Sequence, residues 1–217
     1  MAMRILVADD HEVVRRGLQA LLEAHPGWEV SGEAADGREA VEKARQLKPD
    51  VVIMDISMPI LNGLEATRQI LKLNPTARVL ILTMHESDQI VREVLDAGAR
   101  GYVLKSDAGR DLVGAVEALR RYNSFFTSKV AEMVLDGYRD VSARSEDDKQ
   151  SHDRLTPRER EILQLLAEGK SSKEVAVQLG LSVSTAETHR TNIMRKLDLH
   201  SVSDLVRYAV RNNIIEP

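Results

Sequence analysis

The 217-residue chain contains no cysteine, which removes disulfide frameworks, thiolate nucleophiles, iron–sulfur clusters and cysteine-ligated zinc together. Aromatic residues make up only 3% of it, too few for the stacking platforms that hold single-stranded nucleic acid. Long apolar runs are missing as well. The first, Ile5–Ala8, is closed by two aspartates, so neither a signal-peptide core nor a membrane span is expected, and a cytoplasmic location is. Nor is there a large excess of one charge. Lys and Arg number 30 against 34 Asp and Glu, and residues 152–217 carry ten cations against nine anions. Any DNA binding must therefore come from local placement of charge rather than bulk attraction. The six histidines, at positions 11, 25, 85, 152, 189 and 200, show no metal-binding spacing and read as structural or exposed.

What is present suffices for folding. Hydrophobic residues at 43% with 29% charged residues give an ordinary core-forming balance, and the length suggests two modest domains. Short apolar, β-branched runs occur at Ile5–Ala8, around Val30, and at Val51–Met54, Val79–Leu82 and Tyr102–Leu104. Amphipathic stretches near 12–25, 37–48, 63–73, 87–97 and 109–121 lie between or after them, with apolar residues at three- and four-residue spacing. Strands apolar on both faces alternating with helices predict a five-stranded parallel α/β sheet over residues 1–125. Phe125–Leu135 predicts one more helix. The polar run after it completes a linker spanning 126–152.

From 153 to 217 the pattern is helical only. Thr156 with Glu159, and Ser171 with Glu174, form capping boxes, the first with Pro157 at the opening helical position. Gly169 and Gly180 mark helix ends, and Ser182 and Ser201 mark two further starts. A small all-α domain of four helices is predicted. Its second and third helices, joined through Gly180-Leu181-Ser182, have helix-turn-helix spacing, although many small bundles contain such a corner without touching DNA. On the third helix Val183, Ala186, Ile193, Met194 and Leu197 form the apolar side, and small polar residues form the other.

The chemistry-bearing residues fall at the carboxyl ends of the predicted strands: Asp9 and Asp10, Asp55, Thr83 and Lys105. Ligands bind at that edge of parallel sheets. Converging carboxylates repel one another unless a cation lies among them, and hard oxygen ligands suit Mg²⁺. An aspartate there can act as a nucleophile towards phosphorus while a lysine and a hydroxyl steady the phosphoryl oxygens. Singly, each has an ordinary alternative: Asp10 as a helix cap, Thr83 as a strand former, Lys105 as a solvated charge. Their joint order argues against those alternatives.

The sequence Asp9-Asp10, Asp55-Ile56-Ser57-Met58-Pro59 with Asn62-Gly63, then Thr83 and Lys105, resembles the receiver domain of two-component response regulators over residues 3–125. The resemblance implies a flavodoxin-like sheet of order 2-1-3-4-5. It implies Asp55 as phosphoacceptor and a Mg²⁺ site of Asp9, Asp10, Asp55 and the Ser57 carbonyl. Thr83 and Tyr102 are implied as switch positions and Lys105 as the phosphate-binding lysine. Many receivers carry a cis proline after that lysine. Here the residue is Ser106, before which a cis bond costs about 3 kcal/mol.

The run from Leu155 to Leu197 resembles the LuxR-type DNA-binding domain, so the whole chain resembles regulators of the NarL/FixJ type. That resemblance implies that the helix from Val183 enters the major groove, with Glu187, Thr188 and Thr191 facing bases. Lys173, Arg190, Arg195 and Lys196 are candidates for phosphate contacts. In this family the last helix commonly pairs subunits, which makes Leu205, Val206 and Ala209 candidate dimer residues. The expected partners are a sensor histidine kinase, double-stranded DNA and, after phosphorylation, a second copy of the chain. Two alternatives stand beside this. A Mg²⁺-dependent phosphohydrolase of the haloacid-dehalogenase kind would use Asp55 as nucleophile, but Ser57 stands where such enzymes carry a second aspartate. A phosphorylation-independent DNA-binding or interaction module would keep the receiver as a relic.

Overall fold

The computed structural model describes residues 2–84, 86–127, 130 and 155–215. Contacts divide the chain into two compact units, 1–142 and 143–217, and the division falls inside the expected 126–152 segment. Most of that linker, residues 128, 129 and 131–152, lies outside the described residues, as do His85 and His152.

In the first unit the strands are β1 (Met3–Ala8), β2 (Trp28–Ala34), β3 (Val51–Met54), β4 (Val79–Thr83), β5 (Gly101–Leu104) and β6 (Phe125–Phe126). Between them lie α1 (Glu12–Glu23), α2 (Gly37–Leu47), α3 (Gly63–Leu73), α4 (Asp88–Asp96) and α5 (Ala108–Arg120). The sheet order is β2-β1-β3-β4-β5-β6, and every pairing is parallel. Strand alternation sorts the core into two layers. Leu6, Ala8, Val52, Met54, Ile81 and Tyr102 pack on the side of α2, α3 and α4. Met3, Ile5, Val7, Ile53, Leu80, Leu82 and Val103 face α1 and α5. Because both faces are covered, the strands are apolar throughout, which is why their sequences show runs rather than alternation.

The sheet departs from the expected five strands at one edge. Phe125 and Phe126, expected to open a helix, instead pair with Gly101 and Tyr102. Aromatic residues suit a pleated half-buried edge, and the chain returns to β5 before helical backbone appears at Val130. The remainder of that expected helix lies outside the described residues.

The second unit contains α6 (Pro157–Ala167), α7 (Ser172–Leu179), α8 (Val183–Lys196) and α9 (Val202–Arg211). Both capping boxes form, with Thr156 and Glu159, and Ser171 and Glu174, satisfying each other's backbone donors. The hydroxyls of Ser182 and Ser201 accept from the backbone N–H of Thr185 and Asp204. Gly180 adopts the left-handed conformation that turns the chain between α7 and α8, a region where a Cβ would be strained. Ile162, Leu163, Leu165, Val175, Ala176, Ala186, Ile193, Leu205 and Ala209 are buried within the unit. Among the described residues no helix is long and apolar enough to cross a membrane.

Candidate functional site

The carboxyl ends of β1, β3, β4 and β5 bring together Asp9, Asp10, Asp55, Thr83 and Lys105. Asp9, Asp55 and Thr83 are almost fully buried, at 1%, 3% and 1% exposure. Lys105 bridges the two deep carboxylates. Its Nζ lies 2.7 Å from Asp55 Oδ2 and 2.8 Å from Asp9 Oδ2. Asp55 Oδ1 accepts from the Ile56 backbone N–H at 2.8 Å, and Asp9 Oδ1 from that of His11 at 2.9 Å. Burial pushes the Asp55 carboxyl up to about 6; Lys105 opposes the shift and Asp9 adds to it. The hydrogen bond to Asp55, with the charges of Asp55 and Asp9, overcomes burial at Lys105 and raises its ammonium. Both observations describe a pocket short of positive charge.

That shortage is the test of whether a divalent cation fits. Asp9 Oδ2 is buried and, although close to Lys105, meets no donor in hydrogen-bond geometry. Carboxylate oxygens of Asp9 and Asp10 and a ring nitrogen of His11 lie within 4.8 Å of one another. An under-satisfied buried carboxylate beside a second, partly open one is a hard oxygen donor set of the kind Mg²⁺ takes. The residues present fit the ion. His11, read from sequence as merely structural or exposed, enters this group, with its Nδ1 2.7 Å from Asp10 Oδ1. Its adjacency to two aspartates was the available signal. The ordinary alternative for Asp10, a helix cap, does not form: His11 is the N-cap of α1 and makes no side-chain cap bond.

The loop after β3 is held by unusual backbone. Gly63 opens α3 against the phosphoacceptor candidate itself: a Cβ there would lie 1.8 Å from the Asp55 carbonyl oxygen. Gly37 opens α2 in the same manner against the Leu61 carbonyl, where a Cβ would lie 2.0 Å away. Ile60 has φ 69°, a left-handed conformation costly for a β-branched side chain and concentrated at functional loops. Ser57, whose carbonyl was expected to complete the metal set, is half-buried in this loop. Thr83 sits in register with Leu104, beside the lysine. Tyr102 is fully buried in the α4 layer, and burial raises its hydroxyl to about 12. The Lys105–Ser106 peptide is trans and begins a short 3₁₀ turn, Lys105–Asp107.

In the second unit Glu187, Thr188 and Thr191 are exposed on α8. The two threonine hydroxyls donate to the carbonyls of Ser184 and Glu187 one turn back, at 2.9 and 3.0 Å. Lys173 and Arg195 are exposed and Arg190 is half-buried. Lys196 is differently placed. Its Nζ lies 2.8 and 2.7 Å from the two carboxylate oxygens of Glu159, a residue only 4% exposed. Lys196 thus ties α8 to the start of α6 through an ion pair that leaves its side chain 33% exposed. The dimer assignment also needs correction. Leu205 and Ala209 are 2% and 0% exposed because they fill the core of their own domain, while Val206 is half-buried and Val202 is 52% exposed. Val183, expected on the buried face of α8, is 44% exposed at the first position of the helix.

Comparison with known proteins decides the family. The profile of the response regulator receiver domain matches residues 5–117, and that of the bacterial regulatory proteins of the luxR family matches residues 153–209. The chain belongs to the two-component response regulators of the NarL/FixJ type. It is 41% identical over 213 residues to the transcriptional regulatory protein LiaR of Bacillus subtilis, covering 98% of this chain and 99% of LiaR. It is 39% identical over 218 residues to the oxygen regulatory protein NreC of Staphylococcus carnosus, covering 99% of this chain and all of NreC. Among solved structures it is similar to RcsB of Salmonella typhimurium, at 29% identity, with 95% of this chain and 98% of that one covered and a TM-score of 0.58. A structure of RcsB with DNA matches with 29% identity, 96% and 98% coverage and the same TM-score. The response regulator therefore carries a receiver and a LuxR-type DNA-binding domain, and it acts as a transcriptional regulator rather than an enzyme. The phosphohydrolase alternative falls with that assignment.

Proposed function

We propose that Asp55 of this response regulator accepts a phosphoryl group from the phosphohistidine of a sensor kinase, and that the modified receiver promotes dimerisation and sequence-specific DNA binding. The observation that carries this reading is Lys105 Nζ lying within 2.8 Å of both Asp9 and Asp55 at the carboxyl ends of the strands. In the transfer an Asp55 carboxylate oxygen forms a bond to phosphorus as the bond from phosphorus to the kinase imidazole nitrogen breaks, and that nitrogen keeps the electron pair and takes up a proton. Asp9, Asp10, Asp55 and the Ser57 carbonyl would hold Mg²⁺, which supplies charge neutralisation to the phosphoryl oxygens when bound. The chain's own residues do the rest. Burial excludes water from Asp55, the Ile56 N–H orients its Oδ1, and Lys105 is placed to follow the new oxygens. Thr83, buried beside Lys105, offers a hydroxyl to a phosphoryl oxygen. The added charge, about −1.5 to −2, draws Lys105 and Thr83 together and repacks the α4 layer around Tyr102.

In the DNA-binding domain the exposed side of α8 supplies base contacts from Glu187, Thr188 and Thr191. Lys173, Arg190 and Arg195 supply phosphate contacts. Protein pairing falls to the outward side of α9, at Val202 and Val206. The structures of RcsB with DNA, one of them of RcsB dimers, support DNA binding and pairing by analogy. A cytoplasmic setting, where kinase and DNA meet, is part of the same proposal.

The test is intact mass after incubation with Mg²⁺ and a small acyl phosphate, on wild type and Asp55→Asn. One added phosphoryl group on the wild type alone is expected, together with tighter binding of the phosphorylated form to its operator. Equal DNA affinity of both forms across protein and salt concentrations would remove the coupling. Absence of phosphorylation, including by the cognate kinase, would leave a DNA-binding protein with a relic receiver.

A further inference from the structure

We infer that Arg15 is a positioning residue for the acidic pocket, acting through the Asp9–Asp10 peptide. The inference rests on the proposed Mg²⁺ and phosphoacceptor roles of that pocket. Arg15 lies in the first turn of α1, and its side chain, 14% exposed, runs back towards the end of β1. There its guanidinium makes two directed bonds. Nη1 donates to the Asp9 carbonyl oxygen at 2.8 Å, and Nε donates to Glu33 Oε2 on β2 at 3.0 Å.

The Asp9 carboxylate has its own anchors in the His11 N–H and Lys105, but Asp10 does not. Its carboxylate is 31% exposed and meets His11 Nδ1, itself on a side chain 65% exposed. Where Asp10 points therefore depends on the orientation of the planar peptide that joins it to Asp9, and Arg15 holds the carbonyl of that peptide. Glu33 in turn holds the guanidinium from the neighbouring strand, in register with Val7. The adjacent Arg16 provides a contrast on the same helix: it reaches outward to Glu12, and both side chains are more than half exposed.

Arginine suits this role for a geometric reason. A rigid fork spans a carbonyl and a carboxylate at once, whereas the single ammonium of lysine acts as a point charge. Charge and geometry also predict opposite results. If Arg15 acted only as a positive charge near three carboxylates, its removal would strengthen cation binding. If it positions Asp10, removal weakens binding, in the way that residues holding a metal's ligands do elsewhere.

The experiment titrates Mg²⁺ into the full-length protein and follows the backbone amide resonances of Asp10 and Asp55. In parallel, intact mass measures the initial rate of phosphorylation by a small acyl phosphate across Mg²⁺ and donor concentrations. Arg15→Gln and Arg15→Lys should both raise the half-saturating Mg²⁺ concentration about tenfold, and Glu33→Gln should do so in the same direction by less. At saturating Mg²⁺ the half-saturating donor concentration should stay at the wild-type value, a separation that general loosening of the domain would not produce. Arg16→Gln should match wild type. Wild-type Mg²⁺ affinity in Arg15→Lys would show that the fork geometry is not needed, tighter affinity in Arg15→Gln would show that Arg15 acts through its charge alone, and unchanged affinity in Arg15→Gln would show that it does neither; each would overturn the inference. Should Arg15→Gln fail to fold, the lysine and Glu33 variants decide the matter. Wild-type protein without any Mg²⁺ response would sink the metal reading itself, a failure visible before any variant is made.

Discussion

Gly63 packs against the backbone carbonyl of Asp55 so closely that a Cβ would lie 1.8 Å from that oxygen. The loop that carries Asp55 and the start of α3 are therefore in direct backbone contact. Gly63→Ala must push the two apart, and we expect a loss of about 3 kcal/mol of receiver stability together with slower phosphorylation. Gly109 is the control. Beyond its chain neighbours and the helix's own backbone, nothing lies within 4 Å of a Cβ built there, so Gly109→Ala in α5 should stabilise by about 0.5 kcal/mol. Urea unfolding of both variants reads the difference, and similar midpoints for the two would contradict the packing argument.

Lys105→Ala leaves Asp9 and Asp55 buried side by side without their shared cation. Such a protein should still accept phosphate slowly, since the nucleophile is intact, but should transmit the modification poorly to DNA binding. Mass spectrometry paired with operator titration checks both halves. A full DNA response in this variant would refute the role given to Lys105.

Lys196 and Lys173 should behave differently in DNA binding, because one is committed to Glu159 and the other is exposed. Lys173→Ala should lower the slope of log affinity against log salt by about 1, the signature of one lost phosphate contact. Lys196→Met should leave that slope alone and instead destabilise the domain by about 2 kcal/mol, because a buried carboxylate loses a partly solvated partner. A salt slope reduced by Lys196→Met would return that residue to the interface.

On α9, Val206→Glu should weaken self-association while leaving the melting temperature of the domain nearly unchanged. Leu205→Ala should cost about 3 kcal/mol of stability because it opens a cavity in the core. Sedimentation of the phosphorylated protein together with thermal melts separates the two effects.

Acid should loosen the start of α9 selectively. Hydrogen bonds from Ser201 and then Arg207 hold the Asp204 carboxyl down at about 2. A depressed folded-state value means that the cap is fully present above the ordinary carboxylate range and is lost as pH falls from about 4 through about 2. Carbon-detected titration of Asp204 checks this, and an ordinary midpoint near 4 would contradict it.

Local signals made much of the fold legible. Val51–Met54 and the helix at 63–73 appear in the structure with the bounds that their patterns predict, and all four caps of the second domain form at the serines and threonine that mark them. The residues that eluded sequence reading are those whose role depends on a distant partner. Phe125 and Phe126 are apolar in either a helix or a strand, and only the free edge of β5 selects the strand. Lys196 looks like one more cation on a DNA-reading helix until Glu159, 37 residues earlier, is brought beneath it. Leu205 and Ala209 have the spacing of an apolar stripe, and spacing alone does not say whether a stripe meets its own core or a second subunit. Ile60 gives no warning of its left-handed backbone, because the loop imposes it. In the acidic pocket the aspartates were legible from their order, whereas the Arg15 hold on Asp9 depends on where α1 turns back over β1.

The sharing of Lys105 between Asp9 and Asp55 bears on how the receiver waits for a signal. Three carboxylates opposed by one ammonium leave the pocket two charges in deficit, the amount that a divalent ion brings. Lys105 would then act as a placeholder. On the proposed function it would neutralise part of the resting pocket, in a protein interior that tolerates bare charge poorly, and would pass to a new oxygen only when both ion and phosphoryl group had arrived. The receiver would thereby respond to the coincidence of the two rather than to either alone.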